Sequence, residues 1–68
     1  MTEEQKAKII GNANTVIKEA NKYKDTDLDK LNREYRELLG IRTTLNVLGF
    51  DFVWDERMEY AIDLYRIA

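Results

Sequence analysis

The chain has 68 residues, which suits one domain spanning residues 1–68, and it contains no cysteine, no histidine and no serine. Disulfides, an ordinary structural zinc site, and Ser–His or Cys–His catalysis are therefore excluded, so we expect a protein without cofactor, metal or enzymatic activity. A domain this short buries only roughly 60% of the surface that its unfolded chain exposes, so we expect it to associate with further copies, as a dimer or a larger homo-oligomer.

The net charge of −2 is distributed unevenly. Residues 1–24 carry five basic and three acidic side chains, whereas residues 50–68 carry two basic and five acidic ones. This gradient is typical of a solvated surface, or it favours antiparallel or head-to-tail self-association. No apolar run approaches the ~20 residues that span a bilayer, and the start of the chain is acidic and polar, unlike a signal peptide. We therefore expect a cytoplasmic protein that does not bind a membrane.

Residues 2–23 are predicted to form an amphipathic helix. Thr2 and Gln5 form a capping-box pattern, and Glu3 and Glu4 place negative charge near the positive end of the helix dipole. Apolar residues then recur at 3-4-3 spacing on one face: Ile10, Ala13, Ile17 and Ala20.

A polar break at residues 24–27 separates this helix from a second one, for which Asp25 or Thr26 is the predicted N-cap. Gly49 is the predicted C-terminal cap, and so short a connection makes the two helices antiparallel neighbours. The predicted apolar stripe of the second helix is Leu28, Leu31, Tyr35, Leu38, Leu45 and Leu48.

Residues 50–68 fit two different structures. At period two, the segment predicts a β-hairpin with a polar turn at residues 55–59 and two opposed sets of side chains: Phe50, Phe52, Trp54 and Tyr60, Ile62, Leu64. At helical period, the same segment has one apolar stripe: Trp54, Met58, Ala61, Tyr65 and Ala68. We predict an α+β fold, an antiparallel two-helix hairpin followed by a C-terminal β-hairpin, with an all-α three-helix bundle as the alternative.

Small residues at three helical positions favour close packing. Ala13 and Ala20 lie seven residues apart on the first apolar stripe, and Gly40 interrupts the second helix at a cost of roughly 1 kcal/mol relative to alanine. Such residues allow another helix to approach closely, within the chain or across a dimer, or they leave a shallow groove that admits a ligand.

Arg42 falls on the otherwise apolar stripe of the second helix, where a guanidinium needs a carboxylate, a backbone acceptor or an anionic ligand. One interpretation is an ion pair with an acidic residue of the third segment. The other is a pocket between subunits for a small anionic, nucleotide-type ligand, lined by Asn14, Tyr35, Arg42 and Thr44.

The third segment is dense in both aromatic and acidic side chains. Some of the aromatic residues must form core, but an acidic–aromatic surface that stays exposed suits docking onto a basic protein. The candidate partner-binding residues are Asp51, Phe52, Trp54, Asp55, Glu56 and Tyr60. Direct binding of nucleic acid is not expected, because phosphates are repelled by the aspartates at the start of the second helix: Asp25, Asp27 and Asp29.

In overall style, the chain resembles the short accessory proteins that phages and prophages of low-GC bacteria encode. The resemblance lies in usage rich in lysine, isoleucine, asparagine and tyrosine, in one cysteine-free domain, and in the segment from Glu37 to Phe52. It implies a class of protein that blocks a host defence protein or sequesters a nucleotide signal, usually as an oligomer, in the host cytoplasm. No functional residue follows from it.

Three functions therefore remain open. The leading hypothesis is an oligomeric inhibitor that blocks a host protein through the acidic–aromatic surface. The second is a sponge that sequesters a small anionic ligand between subunits. The third is a structural assembly subunit.

Overall fold

The computed structural model describes residues 1–67 and shows two helices followed by a two-stranded antiparallel sheet. The elements are α1 (Glu3–Tyr23), α2 (Leu28–Val47), β1 (Phe50–Trp54) and β2 (Ala61–Arg66). The predicted α+β arrangement of a helical hairpin and a C-terminal β-hairpin is confirmed, and the three-helix alternative is wrong. Ala68, the last residue of the alternative apolar stripe, lies outside the described residues.

The first helix begins as its sequence predicts. The Thr2 hydroxyl accepts a hydrogen bond from the Gln5 backbone N–H at 3.1 Å, and the Gln5 side chain accepts one from the Thr2 N–H at 2.9 Å. These reciprocal bonds satisfy two N–H groups that the first turn of a helix leaves without partners.

The second helix begins one or two residues later than predicted. Asp27, rather than Asp25 or Thr26, is the N-cap, and its carboxylate accepts a hydrogen bond from the Lys30 backbone N–H at 3.1 Å. Thr26 lies instead in the turn that follows α1, where its hydroxyl donates to the Lys22 carbonyl. The N-cap lies later than predicted because the backbone N–H groups of both Thr26 and Asp27 are bonded to the Tyr23 carbonyl at the end of the first helix.

Gly49 ends α2 and turns the chain into the sheet, as predicted. Its φ of +91° lies in the left-handed region, where a side chain is strained and glycine is not. Its N–H donates to the Asn46 carbonyl, and its own carbonyl accepts from Ile67, so the same residue caps the helix and closes the open end of the hairpin.

The strands pair in register from Phe50 opposite Arg66 to Val53 opposite Asp63, and then shift by one residue. Trp54 pairs with Ala61, so the irregularity leaves Ile62 without a direct partner on β1. Leu64 opposes Phe52 as predicted, but Ile62 and Tyr60 do not join that face and are about half exposed. A one-residue shift exchanges the two faces of a strand, and for this reason the predicted alternation fails at Ile62 and Tyr60, which precede Asp63.

The core lies between the helical hairpin and the inner face of the sheet, where α1 packs against β2 and α2 against β1. Its centre is a cluster of five buried side chains: Ala13, Leu45, Phe52, Ala61 and Leu64. Ala20 is also buried, so the small residues of α1 do allow close packing within the chain. Three members of the predicted α2 stripe are instead mostly exposed, because the buried face of this helix is narrower than the stripe: Leu28, Tyr35 and Leu48.

Asn14 joins the helices to the sheet. Its side-chain N–H donates to the Ala61 carbonyl at 2.8 Å, and its side-chain oxygen accepts from the Ala61 N–H at 2.7 Å. A primary amide thus occupies both backbone groups of one β2 residue, as a neighbouring strand would. Because Ala61 is 2% exposed, water has little access to replace these bonds.

Replacing Asn14 with alanine should therefore lower the free energy of unfolding by about 2 kcal/mol, since it leaves a buried N–H and a buried C=O without partners. Urea denaturation followed by circular dichroism measures the change. The matched control is Asn12→Ala, an exposed asparagine of the same helix, for which we expect no loss. Equal stability of the two variants would contradict the role assigned to Asn14.

Candidate functional site

Two of the six predicted partner-binding residues are part of the protein interior. Phe52 is 2% exposed and lies at the centre of the core cluster. Asp51 is 8% exposed and is held by Arg42. Neither residue is available to a partner in this structure, so their assignment to an exposed surface was wrong. The aromatic and acidic residues alternate here because they belong to β1, whose inner face buries Phe52 and whose Asp51 forms an ion pair with Arg42.

Arg42 and Asp51 form a bidentate ion pair between α2 and β1. The Arg42 Nε donates to Asp51 Oδ1 and the Nη2 donates to Oδ2, both at 3.1 Å. Asp51 also accepts from the Phe52 backbone N–H at 2.8 Å. The structure therefore confirms the interpretation in which Arg42 pairs with an acidic residue of the third segment. The hydrogen bond from Arg42 lowers the pKa of Asp51, and the same bond raises the pKa of Arg42.

Asp55 organises the turn between the strands. Its carboxylate accepts hydrogen bonds from the backbone N–H groups of Glu59 at 2.6 Å and Tyr60 at 3.0 Å, with a longer one from Arg57. The bond from Tyr60 contributes most to lowering the pKa of Asp55. Asp55 was predicted to contact a partner, but its oxygens are occupied by the chain itself, so its role in the structure is to fix the shape of the turn.

The remaining predicted partner residues stay accessible. Glu56 and Tyr60 lie on the exposed turn, and Tyr60 is 49% exposed. Trp54 is half-buried, with its ring centroid 5.5 Å from that of Phe52. The accessible part of the predicted acidic–aromatic surface therefore lies at the turn of the hairpin and at the end of β1 that leads into it.

The predicted anion pocket is divided between different parts of the molecule. Tyr35 and Arg42 line the same concave surface, but Asn14 is bonded to Ala61, and Thr44 lines a separate hollow with Ile9. Arg42 and Thr44 are close in the sequence, but residues two apart on a helix do not face each other, so the two side chains lie on different sides of α2. The four-residue pocket is thus not formed within one chain.

A groove of about 600 Å³ lies between the helical hairpin and the turn. Its volume is within the range of protein binding sites, although it is open along one side. We call it the aromatic groove, and its lining residues are Ile17, Ala20, Asn21, Lys24, Tyr35, Leu38, Arg42, Trp54, Met58 and Glu59.

Met58 has an unusual position in this groove. It lies at the tip of the hairpin with a φ of +56°, in the left-handed region, and it is 72% exposed. Its backbone N–H donates to the Asp55 carbonyl, which fixes this conformation. The sequence predicted Met58 either on a helical stripe or in the polar turn at residues 55–59, and neither prediction included a left-handed backbone. The sequence signal for this turn is Asp55, because an aspartate at the start of a turn can accept hydrogen bonds from the backbone N–H groups that follow it.

No family model, no curated protein and no solved structure matches the chain significantly. Among residues 1–67, no three acidic side chains lie close enough together to hold a metal ion. In the same part of the chain, neither helix is long and apolar enough to cross a membrane. The aromatic groove and the turn beside it form the candidate site.

The ion pair of Arg42 and Asp51 predicts a pH dependence of stability. The pKa of Asp51 in the folded state lies below its ordinary value of 3.8, so the carboxylate stabilises the fold above that value. This stabilisation is lost as the pH falls through the folded-state pKa. Asp51→Asn should therefore unfold more easily at neutral pH, by about 2 kcal/mol, and should lose less stability on acidification than the parent protein.

Urea denaturation of both proteins at neutral pH and at about pH 3 measures this difference. Glu56→Gln, which removes an exposed carboxylate from the same hairpin, is the control and should keep the neutral-pH midpoint. If Asp51→Asn and the parent protein lost the same stability on acidification, the ion pair would not be what stabilises the junction of α2 and β1.

Proposed function

We propose that this chain is a non-enzymatic inhibitor that attaches to another protein through the aromatic groove and the tip of the hairpin, and so covers that protein's surface. The resemblance to phage accessory proteins makes a host protein the proposed partner. The acidic–aromatic contact expected from the sequence is kept in this proposal, but its centre moves from Asp51 and Phe52 to Trp54, Met58 and the turn.

The observation that carries the proposal is the conformation of Met58. A left-handed backbone costs a residue with a side chain about 1 kcal/mol or more, and glycine or asparagine would fit with less strain. The chain nevertheless places a large apolar side chain there, 72% exposed, where it gains little from burial. A contact with another molecule is the use that fits such a side chain, and methionine suits it because it adapts to irregular surfaces.

The composition of the aromatic groove supports a protein partner. Trp54, Tyr35 and Arg42 belong to the residue types that dominate the binding energy of protein interfaces. Leu38 lies at the base of the groove, half-buried and packed against the core cluster, so an apolar side chain that enters the groove meets apolar contacts. Tyr35 also lines the groove and is about half exposed.

The charge of the turn specifies the chemistry of the partner further. Residues 55–59 carry three acidic side chains and one basic one. A partner surface with an apolar anchor surrounded by lysine or arginine complements both the groove and the turn. A basic rim of this kind would chiefly increase the rate of association, and its effect should weaken as salt is added.

The edges of the sheet are less suited to partner binding than the groove. Both strands are edge strands, and an unprotected edge pairs readily with a strand of another protein. Here side chains already bind backbone groups on both strands: Asn14 on Ala61, Asn46 on Phe50, Asp51 on Phe52 and Asp63 on Leu64. Strand addition would have to break some of these bonds.

The ion pair weakens the alternative function as a sponge for small anions. Asp51 already neutralises Arg42, and Glu59 adds a negative charge to the groove beside Lys24. Thermal denaturation with a panel of cyclic and linear nucleotides distinguishes the two functions. A ligand present at 100 times its dissociation constant would stabilise the fold by about 2.7 kcal/mol, whereas the inhibitor proposal expects no shift with any nucleotide.

Met58→Gly is the sharpest test of the proposal. We expect it to leave the free energy of unfolding unchanged or to raise it by up to about 1 kcal/mol, because it relieves the left-handed strain. At the same time it should weaken capture of the partner at least about tenfold, since it removes an exposed anchor side chain. Affinity capture from a host lysate, quantified by mass spectrometry, identifies the partner, and titration of the purified partner measures its affinity.

Leu28→Ala is the matched control, because Leu28 is 70% exposed but lies at the start of α2, outside the groove. It should capture the partner as well as the parent protein does. A partner that bound Met58→Gly with undiminished affinity would contradict the proposal. So would a chain that captured no protein and was stabilised by a nucleotide.

A further inference from the structure

A second concave surface lies on the molecule and shares no lining residue with the aromatic groove. It consists of two adjoining hollows, of about 510 and 360 Å³, that have Ile9 and Leu48 in common. We call it the apolar face and define it by six residues: Ile9, Gly40, Ile41, Thr44, Leu48 and Phe50.

Gly40 is unexplained by packing within one chain. It lies inside α2, where glycine weakens a helix relative to alanine, and it is exposed. A Cβ atom added at this position would meet no atom within 4 Å, so the chain itself does not require the absence of a side chain. Close approach of a helix from the same chain is therefore wrong for Gly40, and two sequence interpretations remain, a helix of a second copy and a ligand in a shallow groove.

We propose that the apolar face is the interface of a homodimer in which the α2 helices of two copies cross at Gly40 and Thr44. Gly40, Thr44 and Leu48 are spaced four residues apart and form one ridge along the helix surface. Ridges of this spacing pack into each other in the most common class of helix crossing, and small residues at the crossing point let the two backbones approach. Leu48, which is 62% exposed in one chain, is then covered by its counterpart.

The hollow beside Gly40 has no ionisable lining residue, and this favours a second copy of the chain as the occupant. In a dimer with twofold symmetry, residues near the axis meet their own copies, so a charged residue there would meet a like charge. None of the six residues is ionisable. Lys8 also lines the larger hollow, and its Nζ lies 3.9 Å from the Glu4 carboxylate, so this lysine has an opposite charge beside it within its own chain. A foreign partner selected by charge would find its complement at the acidic turn and not on this face.

Two glycine substitutions test the dimer. Gly40→Gln places a side chain at the proposed crossing point, and Gly11→Gln places the same side chain on α1, outside both concave surfaces. Gly11 is a suitable control, because it is also exposed inside a helix and an added Cβ there also meets nothing within 4 Å. Both substitutions raise helix propensity, so both monomers should fold, which circular dichroism verifies.

Sedimentation velocity from about 1 to 200 μM, the range in which a dimer of micromolar affinity dissociates, gives the dissociation constant of each protein. We expect the parent protein and Gly11→Gln to dimerise with similar affinity, and Gly40→Gln to weaken the dimer by about tenfold or more. A parent protein that stayed monomeric throughout would overturn the proposal. A dimer that tolerated Gly40→Gln, or that both substitutions weakened alike, would show that its interface lies elsewhere.

Discussion

The two hydrogen bonds between the Asn14 amide and the Ala61 backbone are the contact on which the rest of the architecture depends. A two-stranded hairpin is marginal in water unless it packs against something, and the helices provide that support. Asn14 binds β2 where the strand leaves the turn, at the point where the register of the sheet shifts. These two hydrogen bonds therefore fix the residue at which β2 begins, and with it the position of the turn that contains Met58.

The same sheet is held at its other side by the ion pair of Arg42 and Asp51. The two connections bind opposite strands, β2 to α1 and β1 to α2, and both use polar groups where a larger domain would use more core. Within residues 1–67, every fully buried side-chain nitrogen and oxygen atom has a hydrogen-bond partner. A small core is thus supplemented by polar contacts in good geometry, which also make the orientation of the sheet specific.

Two faces remain for other molecules, and they differ in chemistry. The aromatic groove combines half-exposed aromatic rings, a methionine in strained backbone and an acidic turn, and these features suit a foreign protein with a basic rim. The hollow of the apolar face beside Gly40 has no ionisable lining residue, and this exposed helical glycine suits the proposed contact with a second copy of the chain. Because the two faces share no residue, a dimer would present two grooves, and binding through both would strengthen attachment to a partner that is itself oligomeric.

The sequence by itself determined the two helices and their order, because capping and turn formation are local, whereas for residues 50–68 it allowed both a hairpin and a third helix. Thr2 with Gln5 starts α1, Gly49 ends α2, and the alternation of Phe50, Phe52 and Trp54 makes a strand. Only the tertiary structure decided which functional candidates are exposed. Asp51 and Asn14 are polar residues, which the sequence alone assigns to an accessible surface. In the structure each is bonded to another segment: Asp51 to Arg42, nine residues away, and Asn14 to Ala61, 47 residues away. Such contacts depend on how the elements pack, and one shifted residue in the sheet changes the face on which every following side chain lies.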